Sequence, residues 1–194
     1  MVASRYLPAA ALALVACGDP AEPTRFVAAV ADEDGGVSIG LTVQDGLVAG
    51  YACGDDPAVE RYPGWFVGEA SGDSIALGLD GWTFAASWDA GSAEGVLVEP
   101  SGEEIVWSAP APAQDLSGTY AARDSGCTTG VIVVDGAEPL VRGAWCNGAG
   151  EQRQVTPLGP MQLVEGRLSV EVQLSTGPRM LRVAPVDLPL PDDG

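Results

Sequence analysis

The chain has 194 residues, with 27 acids, nine arginines and neither lysine nor histidine, and its formal net charge is −18. A charge of that sign keeps a protein soluble and repels nucleic acid and anionic lipid heads, which argues against DNA, RNA and basic-patch membrane contact. The absence of His and Lys excludes Ser-His-Asp and Cys-His nucleophiles, imidazole bases, Schiff bases and Ser-Lys dyads.

The first segment reads MVASRYLPAAALALVAC, with Arg5 as its one charge and an apolar run that ends in small residues. A positive start, a short apolar stretch and small residues form the secretory pattern. The run is too short to span a bilayer, which takes roughly 20 apolar residues. Its end, Leu14-Val15-Ala16-Cys17, resembles the lipobox of bacterial lipoprotein precursors. That resemblance implies cleavage after residue 16 and a lipid, palmitate among its acyl chains, on Cys17. It also implies a cell-envelope location, the outer membrane if the host has one, because Gly18 rather than Asp follows the cysteine. Residues 17–24 then form a lipidated tether, and their two prolines favour an extended path. Two or three acyl chains hold durably where one holds only marginally.

The body after the tether alternates with period two. Val37, Ile39, Leu41 and Val43 are apolar, with Ser38, Gly40, Thr42 and Gln44 between them. The same holds for Ile75, Leu77 and Leu79, for Trp82, Phe84, Ala86 and Trp88, and for Leu168, Val170, Val172 and Leu174. Such alternation puts one set on a core face and the other toward water. Asp45-Gly46, Asp80-Gly81, Ser101-Gly102 and Asp135-Gly136 are turn signals, Asp-Gly being suited to two-residue hairpins. The expected fold is all-β, an antiparallel meander closed as small barrels or as a sandwich.

Residues 31–46 align without a gap to residues 121–136, with seven identities, and residues 47–53 then align to 140–146. Two repeated β units follow, over 25–110 and 116–186. Residues 111–115 form a Pro/Ala linker between them, and 187–194 a disordered tail. The body also resembles uncharacterised β-rich secreted or lipid-anchored proteins of GC-rich bacteria. Tyr51-Ala52-Cys53-Gly54 and Gly64-Trp65-Phe66 carry that resemblance over residues 26–122, and no activity comes with it.

Besides Cys17 the chain has Cys53, Cys127 and Cys146. Folding about the Asp135-Gly136 turn brings Cys127 toward Cys146, and a bridge closing a loop of about 20 residues would stabilise by roughly 3 kcal/mol. Val37 takes the place of Cys127 in the first copy, where Cys53 matches Cys146. Cys53 is then a small buried hydrophobe, a partner of another cysteine, or a reactive thiol. Tyr62 and Trp65 are candidate ligand contacts, able to stack on a glycan or seat in a partner protein, against a default of core packing. Trp82, Phe84, Trp88, Ile105 and Trp107 read as core. Carboxylate chemistry would fall to Glu69, Glu103 or Glu104, whose ordinary role is an exposed strand face. Residues 32–36 and Asp55-Asp56 could hold Ca²⁺, but neither follows the EF-hand spacing and the first cluster reads as a turn, so neither a metal nor a cofactor is expected. The expected function is a non-catalytic binding or structural module of the envelope. An apolar-ligand barrel carrier and a glycosidase-type enzyme are the alternatives.

Overall fold

The computed structural model describes residues 21–31, 36–55, 58–62, 64–110, 116–124, 126–134 and 136–190. The leader, Cys17, residues 32–35, Asp56, the linker 111–115, Asp135 of the Asp135-Gly136 turn and residues 191–194 of the expected tail lie outside the described residues. The first eight strands are β1 (Thr24–Val30), β2 (Val37–Gln44), β3 (Leu47–Gly54), β4 (Gly64–Glu69), β5 (Ser74–Leu79), β6 (Trp82–Trp88), β7 (Ser92–Val98) and β8 (Glu104–Pro110). A short 3-10 turn, Ala58–Glu60, separates β3 from β4. Six more follow: β9 (Gly118–Asp124), β10 (Cys127–Val134), β11 (Leu140–Cys146), β12 (Gln152–Pro157), β13 (Leu168–Leu174) and β14 (Gly177–Pro185). Every ladder between them is antiparallel. Asp45-Gly46 and Asp80-Gly81 make tight hairpins with positive φ at both residues (51° and 79°, 50° and 85°), the backbone that a two-residue turn between twisted strands requires.

Both closures expected of a meander occur. β9 to β14 form a closed six-stranded barrel, in which the last strand pairs with the first. β1 to β8 form two four-stranded sheets, β1-β2-β3-β4 and β5-β6-β7-β8. β8 lies beside β1 and β5 beside β4, so the two sheets wrap one core. Rings fill that core: Phe66 stacks on Phe84 at 5.3 Å, Phe84 meets Trp107 at 5.7 Å, and Tyr62 meets Trp82 at 5.4 Å. Trp82, Phe84, Ile105 and Trp107 are buried there, with Trp88 packed against them. The barrel has its own core of Val, Leu, Tyr120 and Trp145.

The repeat is visible in the ladders. Gly40 pairs with Val27 and Tyr51, and Gly130 pairs with Ala121 and Ala144, so β1-β2-β3 and β9-β10-β11 are equivalent meanders in equivalent register. The ungapped alignment fails upstream of Gly36 and Gly126. Ala31 lies in the connection after β1, whereas Ala121 lies within β9. The cause is loop length, since residues 31–36 join β1 to β2 while only 125–126 join β9 to β10.

Alternation toward water needs one correction. Ser38 and Thr42 are fully buried and Gln44 nearly so, because the second face of β2 packs on the barrel. The two meanders meet with equivalent strands in contact: β1 on β9, β2 on β10, β3 on β11. A third cluster fills this boundary, with Val27, Tyr51, Cys53, Val59 and Ile132 at its centre.

Candidate functional site

Tyr62 and Trp65 sit at that boundary. β3 and β4 pair Tyr51 with Trp65, and the rings lie 4.5 Å apart. Period two on β4 sends Phe66 into the first core and Trp65 toward the barrel, where its Nε1 donates to the Thr128 carbonyl at 3.0 Å. Tyr62 is 3% exposed, with its ring in the first core, the Arg61 guanidinium 5.7 Å from its centre. The two side chains share a cleft of about 80 Å³, with Tyr51, Thr128 and the Cys127 and Cys146 pair among its other walls. A ligand pocket is ordinarily about 300 Å³ or more, so this cleft suits a few waters and not a sugar ring. Of the two readings of Tyr62, ligand contact and core packing, the enclosed ring fits the default of core packing, because the 3-10 turn folds it back over Gly54 and Trp82.

Tyr51 is the residue that sequence reading missed. Its hydroxyl donates to the Gly130 carbonyl and accepts from the Ala144 amide, both at 3.1 Å. A Cβ on Gly130 would collide with the Tyr51 ring, so the glycine is the space in which the ring lies. The available signal was a size exchange between the copies, Tyr51 standing where the second unit has Ala144. Asp55, weighed as a calcium ligand, instead ion-pairs with Arg142 across the same boundary. Among the described residues no three Cys, Asp or Glu side chains converge as a metal site would need.

Cys127 and Cys146 stand at disulfide distance across β10 and β11, Cα to Cα 5.7 Å. Cys53, their unpaired counterpart in the first copy, is 1% exposed, and its thiol donates to the Gly54 carbonyl at 3.4 Å. Burial pushes that thiol up to about 12, so the reactive thiolate is not formed at neutral pH. Glu69, Glu103 and Glu104 are all exposed, and Glu103 approaches Arg61 at 3.9 Å. A broad groove of about 520 Å³ runs along β6, β7 and β8, where Ala85, Gly95, Val96 and the exposed Val106 lie beside Glu94.

No family model matches this chain, and neither curated proteins nor solved structures match it.

Proposed function

We propose that the chain is the precursor of a lipid-anchored envelope protein whose β body is a non-catalytic binding or structural module. The observation that carries this reading is Leu14-Val15-Ala16-Cys17 at the end of an apolar run. The described body begins just after it. Gln44 Nε2 donates to the Ala21 carbonyl at 3.1 Å, so the chain is already tied to β2 four residues past Cys17. At full extension those four residues reach about 14 Å, which keeps the body close to the bilayer. A non-catalytic body is favoured by the exposure of Glu69, Glu103 and Glu104, a buried Cys53 thiol and a sequence without His or Lys. The side chains that fill the core of the closed barrel, and the rings that fill the core of β1 to β8, weigh against an apolar-ligand carrier.

Feeding the host a clickable fatty acid tests the anchor. The protein should take up label and fractionate with membranes, while Cys17→Ala should lose both. Membrane association of Cys17→Ala equal to that of the parent would overturn the reading.

A further inference from the structure

Only eight basic residues follow residue 16, against 27 acids, and the sum of charges argues against basic-patch contact with lipid. Placement tells a different story from the sum. Arg123, Arg167 and Arg182 line one cleft of about 390 Å³.

The cleft forms where the barrel closes. β9 and β14 pair through Ala121 with Ala184 and Tyr120 with Pro185, whereas β13 and β14 pair along their whole length. Tyr120, Leu181 and Val183 point into the barrel core, so alternation puts Ala121, Arg123, Arg182 and Ala184 on the outside of that short seam. Arg167 precedes buried Leu168 and stands on the same outer side. The segment after β14 supplies an apolar wall through Val186, Pro189 and Leu190. Among the described residues one acid, Asp187, lines the cleft, and it pairs with Arg25 at 3.4 Å. Arg182 pairs with Glu165 at 3.4 Å in an exposed contact, which holds weakly, and Arg123 has a partner of its own. The planar guanidinium fork matches the oxygens of a phosphate, and three forks on an apolar wall suit an ester that bears both.

The cleft also lies where the tether leaves the body. Arg25 Nη2 donates to the Val186 carbonyl at 2.9 Å. The Gln44 side chain accepts from the Leu188 amide at 2.7 Å while it donates to Ala21. The apolar wall and the base of the tether are thus joined.

We propose that the Arg123, Arg167 and Arg182 cleft binds a phosphate-class oxyanion, supplied by the headgroup of an anionic phospholipid. The oxyanion site stands on the cleft alone; its lipid source rests on the lipoprotein reading. The acidic remainder of the body is repelled by an anionic surface. Headgroup capture therefore fixes which end of the body faces the bilayer.

The test uses the full chain carrying Cys17→Ala, which cannot be acylated, so the anchor does not enter the result. Vesicles of phosphatidylcholine, with and without about a third phosphatidylglycerol, are compared by flotation at moderate salt. Inorganic phosphate is titrated separately. The expected result is a preference for the anionic vesicles of roughly fivefold per engaged arginine. Arg123→Gln, Arg167→Gln and Arg182→Gln together should abolish it. The exposed Arg167→Gln alone should reduce it, which covers the case where the triple variant does not fold. Phosphate binding without vesicle preference would keep the oxyanion site and overturn its lipid source. Parent and variants that respond alike to both probes would overturn the site. A parent chain that takes up no fatty-acid label, with vesicle preference intact, would overturn the anchor and leave the site standing.

Discussion

Two alkaline groups lie next to each other at the boundary between the units. Burial raises the Cys53 thiol from 9.0 to about 12 and raises the Tyr51 hydroxyl well above its ordinary value. The unfolded chain releases the Cys53 proton near pH 9 while the folded chain keeps it. Stability from this group is therefore complete below pH 9 and is lost as pH rises toward 12. Three units correspond to about 4 kcal/mol at most. Urea unfolding between pH 7 and 10 should show a decline that begins near 9. Cys53→Ala should remove the decline between 9 and 10, and Tyr51 then adds to it above 10. The hydroxyls nearby make a second prediction. Ser38 Oγ, Thr42 Oγ1 and Thr119 Oγ1 are buried without a hydrogen-bond partner among the described residues. A buried hydroxyl left unpaired costs about 1–3 kcal/mol, so Thr42→Val, which keeps the shape, should raise the thermal midpoint. A fall in that midpoint would show that the hydroxyl is satisfied in solution.

At the scale of elements, the β10–β11 hairpin is the place to test the cysteine pairing. Non-reducing peptide mapping should link the Cys127 peptide to the Cys146 peptide and leave Cys53 free. Replacing both cysteines by serine should lower stability by roughly 3 kcal/mol, measured by denaturant unfolding. The strands themselves were legible, because alternation such as Val37, Ile39, Leu41 and Val43 reports one core face whatever lies opposite. What lies on the other face was not legible. Ser38, Thr42 and Gln44 have the polarity of a water face, and only the second unit packed on β2 buries them. Trp65 was singled out by its sequence surroundings, but its partner Thr128 lies 63 residues away and no local pattern connects them. The three arginines of the cleft are scattered between residues 123 and 182. The pairing of the last strand with the first brings them together, and that closure has no signature in composition or spacing.

At the scale of the molecule, the two units share a boundary too well joined for independent behaviour. Tyr51 and Trp65 reach across it with hydrogen bonds, Asp55 and Arg142 with an ion pair, and Val27, Val59 and Ile132 with apolar surface. One cooperative transition is expected by calorimetry, with equal calorimetric and van't Hoff enthalpies. Tyr51→Phe removes the hydrogen bonds to the Gly130 carbonyl and from the Ala144 amide, and should lower stability by about 1–3 kcal/mol. Two resolved transitions in the parent would mean that each unit stands alone.

The amide of Gln44 holds Ala21 on one side and Leu188 on the other. A load applied through the chain before Ala21 therefore does not reach β1 first as a zipper opening from its end. It enters at a clamp where the beginning of one unit and the end of the other are gripped together, and Arg25 adds a second grip on Val186. Force arriving there is shared between the two-sheet unit and the barrel, and Gln44→Ala leaves that sharing to the Arg25 grip.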